Sequence, residues 1–147
     1  MTVVHNANSS GNLDHVSASC DGALLSSRAQ GAATVIAATG EIDASNIASL
    51  ADYTQRCLGG DRPVVLDLTR LDFLGAQGIP ALFDIDARCG DAGVEWAVVP
   101  SHPVSRLLRI CDKDRRLPTA GSVDEALQRF CGASQTQRLL KLVPETG

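Results

Sequence analysis

Aromatic side chains are scarce in this chain of 147 residues, making up only 3% of the sequence. One Trp, one Tyr and three Phe are scattered along it, so there is no platform of stacked rings for nucleic-acid bases. Lys and Arg are outnumbered by Asp and Glu, 13 to 17, which gives a formal net charge of −4. Because a phosphate backbone demands a basic surface, this charge predicts no nucleic-acid partner. The scarcity of aromatic residues predicts an aliphatic, Ala-rich core.

Long hydrophobic runs are missing as well. The longest stretch free of strongly polar residues, 32–38, is far shorter than the roughly 20 apolar residues that a membrane-spanning helix needs. The first twenty residues also lack a positively charged segment followed by an apolar one, the pattern of a secretory signal peptide. We therefore expect a soluble, cytoplasmic protein without membrane insertion.

The cysteines include no Cys-x-x-Cys pair and are widely spaced: Cys20, Cys57, Cys89, Cys111 and Cys131. The three histidines lie at no ligand spacing to them or to each other, so we expect neither a metal site nor a cofactor. Buried, reduced thiols are the simplest interpretation, since free Cys behaves as a small hydrophobe. Redox control is the alternative, because Cys57, Cys89 and Cys111 each lie near a predicted helix end where a thiol is accessible.

Recognisable enzyme chemistry is also lacking. The sequence contains no nucleophile–base–acid set with familiar spacing. Its short glycine-bounded segment, residues 75–78, is too brief for a phosphate-binding P-loop and lacks the lysine of that motif. These observations predict a protein that is not an enzyme.

What the sequence does contain is an alternation of strand and helix patterns. Two extended segments at 23–25 and 33–38 flank a glycine turn and predict a β-hairpin. The strand at 64–68 is apolar nearly throughout, so it is expected to be buried on both faces, and it runs into a loop; a further strand is predicted at 94–99. Helices are predicted to begin near residues 46, 79, 101 and 122, with Ser45 or Asn46 as the cap of the first and Ser101 as the cap of the third. Around the second helix, Gly78, Leu82, Ile85 and Cys89 share one side, which is expected to face the sheet. This order predicts an α/β single domain over residues 21–131, with a mixed four- to five-stranded sheet flanked by about four helices. Residues 1–20 are rich in Asn, Ser and His and are expected to form a disordered N-terminal tail. Residues 132–147 are expected to form a polar C-terminal tail.

Four short blocks, in this order, are similar to those of STAS domains, the fold of bacterial anti-sigma factor antagonists. They are Gly40-Glu41-Ile42-Asp43; Val64-Val65-Leu66-Asp67-Leu68; Phe73-Leu74 with Gly78-Ile79; and Asp124-Glu125-Ala126-Leu127. The resemblance implies a STAS-like fold and a regulator that binds an anti-sigma factor of the serine-kinase type and so frees a sigma factor. It equally admits an accessory module that binds a small ligand, a nucleotide or a lipid, or that serves a transporter or another signalling complex.

The loop before the second predicted helix departs from the family pattern. Relatives usually carry Asp-Ser-Ser/Thr-Gly there, and the first Ser accepts a phosphate that switches partner binding. Here the matching residues are Gly75-Ala76-Gln77-Gly78. Ala76 has no oxygen to phosphorylate, and Gly75 removes the fixed negative charge of the Asp. The resemblance therefore implies a regulator that phosphorylation at this position does not switch.

The candidate partner-binding residues are those of this loop and its surroundings, together with Phe83 from the helical spacing: Asp43, Asp72, Gly75, Ala76, Gln77, Gly78 and Phe83. Several alternatives stay open for them. Asp43, at the end of a strand, either caps the next helix or contacts a partner, as the family's matching loop implies. The loop either still docks a partner or has become a turn that only maintains the fold. Phe83, at the flank of the apolar stripe of its helix, is either covered by a loop or exposed as an anchor. Further along, Arg106, Arg109 and Lys113 follow at helical spacing and form either a basic strip or an ordinary solvated face.

Overall fold

The computed structural model describes residues 2–5, 16–20, 22–58 and 60–131. The predicted C-terminal tail, residues 132–147, lies outside the described residues, as do residues 6–15 of the predicted N-terminal tail. The strands are β1 (Thr2–His5), β2 (Val16–Cys20), β3 (Ala23–Gln30), β4 (Ala33–Ile42), β5 (Val64–Leu74) and β6 (Trp96–Pro100). The helices are α1 (Ile47–Cys57), α2 (Gly78–Ala92), α3 (His102–Cys111) and α4, which covers residues 123–131.

The strands form one mixed sheet in the order β1-β2-β3-β4-β5-β6. β1 to β4 pair antiparallel, and β4, β5 and β6 run parallel through the crossover helices α1 and α2. The predicted hairpin is confirmed as β3–β4, and the α/β single domain with a mixed sheet and flanking helices is confirmed. The sheet has six strands rather than four or five.

The additional strands correct the prediction for the N-terminal residues. Residues 2–5 and 16–20, expected in a disordered tail, form β1 and β2. β2 pairs residue for residue with β3, from Val16 opposite Ser27 to Cys20 opposite Ala23. The prediction failed because the segment is polar, whereas sheet pairing uses backbone N–H and C=O groups that every strand edge leaves open.

Two apolar layers cover opposite faces of the sheet. The larger one packs α1, α2 and α3 against β3 to β6, and the smaller one packs α4 against β4, β5 and β6. β5 contributes to both, since Leu66 and Leu68 lie in the larger layer and Val65 in the smaller. The prediction that this strand is buried on both faces is therefore confirmed, and each such buried side chain contributes about 1.5–3 kcal/mol to folding.

β5 is longer than the sequence predicts. The loop expected after Leu68 shrinks to a three-residue turn, because the strand continues to Leu74. β4 runs beside it to the same level, with Ile42 paired to Leu74 and two register shifts on the way. Leu71 and Leu74 are buried, while the polar residues between Leu68 and Leu71 are exposed. The extension brings the end of β5 next to the end of β4.

Candidate functional site

The turn between β5 and α2 is held by backbone hydrogen bonds. Gly75 N–H donates to Ile42 O at 2.8 Å and so ties the turn to the end of β4. Gly78 N–H donates to Gly75 O at 2.8 Å, and Ile79 N–H donates to Ala76 O at 3.2 Å. Gly75 and Gly78 are buried, whereas the intervening Ala76 and Gln77 are exposed. The turn therefore presents two side chains on a backbone that is fixed at both ends.

Gly78, the first residue of α2, is required by a close approach. A Cβ added to it would overlap Leu74 Cδ1 and lie 2.5 Å from Leu74 Cγ, closer than real Cβ contacts allow. Leu74 is itself buried in the larger apolar layer. Glycine thus lets the start of the helix sit directly against the last strand residue.

The β4–α1 loop forms the neighbouring part of the site. Asp43 Oδ1 accepts hydrogen bonds from Ser45 Oγ–H at 2.6 Å and from Ser45 N–H at 2.9 Å. These two bonds hold the pKa of the exposed Asp43 carboxyl below its ordinary value, so the group is ionised at neutral pH. The Asp43 carboxylate therefore orders its own loop rather than capping α1.

The buried Asn46 side chain holds this loop through hydrogen bonds to its backbone. It is only 2% exposed; its Oδ1 accepts the Asp43 N–H at 2.9 Å and its Nδ2 donates to Glu41 O at 2.9 Å. The sequence identified Ser45 or Asn46 as the cap of α1. Asn46 does occupy the N-cap position, but its side chain makes no capping hydrogen bond. It is used instead to join the end of β4 to the start of α1.

The two loops meet around Gly75. A Cβ added to Gly75 would lie 3.5 Å from Asp43 Cα, 3.6 Å from Phe73 Cε2 and 3.3 Å from Gln77 Oε1. Asp43, Phe73, Ala76 and Gln77 are all exposed. We refer to these four residues, grouped around the buried Gly75, as the turn surface.

Phe73 is the member that sequence reasoning did not select. Phe73 is 49% exposed, one of three large apolar residues with marked exposure among those whose side chains are described. A signal for it existed: successive strand residues point to opposite faces, so a buried Leu74 places Phe73 outward. Asp72, which was selected, is exposed beside it on β5.

Phe83 does not join the turn surface as an exposed anchor. It is half-buried, packs against the larger apolar layer and has the Arg116 guanidinium 5.7 Å from its ring centroid. Of the two alternatives for this residue, the structure therefore favours the covered one.

The cysteines correct part of the redox prediction. Cys89 was expected at an accessible helix end, but it is fully buried on α2, where burial and the nearby Asp86 carboxylate raise the pKa of its thiol to about 11. Burial also raises the pKa of the half-buried Cys57 thiol. Both thiols are protonated at neutral pH and therefore poor nucleophiles. Cys111 is exposed, and redox control through its thiol stays a prediction.

Two further properties concern the described residues only. Among them, no group of three or more His, Cys, Asp or Glu side chains is arranged to hold a metal ion. In the same part of the chain, no helix combines the length and the apolar character that crossing a bilayer requires.

Comparison with known proteins gives consistent matches. A family model described as STAS domain matches residues 25–126. The chain is 38% identical over 114 residues to Osmosensory protein A of Mycobacterium tuberculosis, which covers 75% of this chain and 72% of that protein. It is 30% identical over 99 residues to the anti-sigma-F factor antagonist RsfA of Mycobacterium tuberculosis, covering 65% of this chain and 77% of RsfA.

Solved structures match the fold as well. The crystal structure of an anti-sigma factor antagonist from Mycobacterium paratuberculosis superposes with a TM-score of 0.66 at 23% sequence identity. The superposition covers 73% of this chain and 92% of the other. The six-stranded arrangement described above thus contains a fold that this antagonist shares.

Proposed function

The chain belongs to the STAS domain family, and from that premise we propose that it is an anti-sigma factor antagonist whose turn surface binds an anti-sigma factor of the serine-kinase type. Binding would sequester the anti-sigma factor and free a sigma factor for transcription. The role requires no catalysis by this chain and is carried out in the cytoplasm. The relative RsfA, itself named an anti-sigma-F factor antagonist, supports this class of partner.

The observation that carries the proposal is the exposed Phe73 ring. Large aromatic side chains that stay exposed beside polar neighbours are typical anchors of protein interfaces. Phe73 Cε2 lies within 3.6 Å of a Cβ position at Gly75, which places the ring against the turn that carries Ala76 and Gln77. An aromatic anchor and exposed polar groups are therefore combined on one rigid backbone.

We further propose that phosphorylation at the usual position does not switch this surface. The charge of the turn surface supports this. Ala76 has no hydroxyl, so its position cannot gain the −1.5 to −2 charges that a phosphate adds. Asp43 contributes a constant negative charge, because its pKa is lowered. The turn surface therefore keeps one charge state at neutral pH, and its partner should place a cationic or hydrogen-bond-donating group near Asp43.

A binding titration with purified proteins tests the proposal. The chain is titrated calorimetrically against each serine-kinase-type anti-sigma factor encoded in the same genome, with and without Mg-ATP. We expect one saturable complex, and we expect Phe73→Ala to weaken it at least tenfold. Leu24→Ala is the matched control, because Leu24 is also a strand residue and its exposure, 48%, is nearly that of Phe73. Absence of any complex, or equal weakening by both variants, would refute the proposal.

A second pair of variants tests the charge of the turn. Ala76→Glu should weaken the complex more than tenfold, whereas Ala76→Ser should have little effect in the absence of ATP. Ala87→Glu adds the same charge at an exposed position in the middle of α2 and should leave binding unchanged. With Mg-ATP, only the Ala76→Ser protein should gain a phosphate at residue 76 and dissociate. Indifference of the complex to Ala76→Glu would show that the partner does not touch this turn.

A further inference from the structure

A second feature lies away from the turn surface, in an open cleft of about 910 Å³ between α3 and the segment that follows it. Leu108, Leu117 and Ala120, all buried, form part of its lining. Ser105 and Thr119 also line it. The volume falls within the range of sites that hold small molecules, about 300–1,000 Å³.

Three cationic residues line this cleft: Arg109 from α3, and Lys113 and Arg115 from the segment that follows the helix. Within residues 22–58 and 60–131, none of the three makes a hydrogen bond or an ion pair through its side chain. Residues 102–116 contain five Lys or Arg and only two Asp, although the whole chain carries a net charge of −4. The positive charge is thus concentrated here.

The two carboxylates of the cleft already have other hydrogen-bond donors. Asp112 is buried, and its two oxygens accept the N–H groups of Arg116 at 2.9 Å and Leu117 at 3.0 Å. Glu125 accepts the Gly121 N–H at 2.8 Å and pairs with Arg129 at 3.2 Å. Because both acids are occupied by other donors, the uncommitted groups of the cleft are cationic.

The backbone conformation of Arg115 is a second, independent feature of this cleft. It is the one residue other than glycine with a positive φ, +52°, in the described part of the chain. Its N–H donates to Asp112 O at 3.0 Å, and the next side chain, Arg116, is held over the Phe83 ring. Glycine adopts this backbone conformation without strain, so a bulky arginine there costs stability. The surrounding contacts nevertheless fix the turn, with the Arg115 side chain at the cleft.

We infer that this cleft binds a small molecule carrying two or more phosphate groups, whose oxygens are contacted by Arg109, Lys113 and Arg115. Guanidinium and ammonium groups are the usual protein ligands of phosphate. No aromatic ring other than the His102 imidazole lines the cleft, so recognition rests on phosphates rather than on a stacked base. The occupant is either inorganic pyrophosphate or the diphosphate of a nucleotide, which share this chemistry. The inference uses other residues than the proposed protein-docking function and is independent of it.

Calorimetric titration of the full chain at low ionic strength, with pyrophosphate, ADP and AMP as separate probes, tests the inference. We expect saturable one-to-one binding of pyrophosphate and ADP, and binding of AMP at least tenfold weaker. Equal affinity for pyrophosphate and ADP identifies a site that reads phosphates alone, whereas tighter binding of ADP adds recognition of the nucleoside. No saturable binding of either diphosphate would overturn the inference.

Matched variants distinguish a built site from diffuse charge. Lys113→Gln and Arg109→Gln should each weaken pyrophosphate binding at least tenfold. Arg106→Gln removes the same charge from α3, the helix that carries Arg109, but at a residue outside the cleft lining, and should leave binding within twofold of the unaltered chain. Equal losses in Arg106→Gln and Lys113→Gln would overturn the inference, because they would indicate general attraction to the basic segment 102–116.

Two further measurements separate the alternatives. Arg115→Gly should abolish diphosphate binding while unfolding at no lower temperature than the unaltered chain, because glycine relieves the strained backbone. Preserved binding in this variant would exclude the role assigned to Arg115. A fluorescent oligo-glutamate peptide that binds the cleft and is not displaced by pyrophosphate would overturn the inference in favour of an acidic protein partner. Phe73→Ala should keep full diphosphate binding, so either proposal can fail without the other.

Discussion

Adding one methyl group at Gly78 tests whether the turn depends on the close approach of α2 to β5. The Cβ of a Gly78→Ala variant would overlap Leu74 Cδ1 and meet Leu74 Cγ at 2.5 Å. Since Leu74 is 6% exposed and packed in the core, its side chain must leave its rotamer or the helix start must shift. Forced overpacking of this kind costs about 1–3 kcal/mol of unfolding free energy.

Gly90 supplies the matched control within the same helix. A Cβ added there meets nothing within 4 Å, and the residue is exposed. Gly90→Ala should therefore stabilise the protein by about 0.5–1 kcal/mol, the ordinary advantage of Ala over Gly inside a helix. The two substitutions are chemically identical, and opposite signs are expected because only one position is crowded.

A double-mutant cycle isolates the contact. Leu74→Ala alone should cost about 2–5 kcal/mol through lost burial and a cavity. In the Leu74→Ala/Gly78→Ala protein the overlap no longer exists, so the double variant should be about 1–3 kcal/mol more stable than the sum of the single effects predicts. Urea unfolding followed by the fluorescence of Trp96, the single Trp and a buried one, measures each free energy. Additive effects, or a Gly78→Ala variant as stable as Gly90→Ala, would refute the crowding argument.

Two other predictions concern buried groups. Burial raises the pKa of the Cys89 thiol from 9.0 to about 11, so the stability associated with its protonated form is complete below pH 9 and lost as the pH rises through 11. Between pH 9 and pH 11 the unaltered chain should lose about 1–3 kcal/mol more unfolding free energy than the Cys89→Ala variant. Urea titration at each pH measures both free energies, and a parallel dependence of the two on pH would contradict this. Asn46→Ala should cost about 1–3 kcal/mol, because it leaves the Asp43 N–H and Glu41 O without that side chain. Ser49→Ala, on the half-buried side of α1, is its control, and equal small effects in urea unfolding would show that the loop does not depend on Asn46.

Features set by local periodicity were predictable from the sequence. The stripe Gly78, Leu82, Ile85 and Cys89 was expected to face the sheet, and all four residues are buried. Ser101 was expected to cap a helix, and its Oγ accepts the Val104 N–H at the start of α3. Such features depend on residues three or four positions apart, so the sequence alone contains the necessary information.

Features set by distant pairing were not predictable in the same way. The extension of β5 to Leu74 depends on β4 running beside it with two register shifts, and nothing within residues 69–74 indicates those shifts. The exposure of Phe73 depends in turn on this extension. Cys89 shows the converse: its position near a helix end suggested access, but the helix continues to Ala92 and the sheet covers the thiol. Burial of a residue depends on the elements packed against it.

The shape of the turn and its charge are determined by different residues. Hydrogen bonds from the backbone of Gly75, Gly78 and Ile79, together with the Leu74 contact, fix the path of the chain. The side chain at residue 76 is exposed and takes no part in those bonds. Replacing an alcohol by a methyl group there can therefore alter the chemistry of the turn without altering its shape. Under the proposed function, the same independence means that a Ser introduced at residue 76 would restore a phosphoacceptor on an unchanged docking surface.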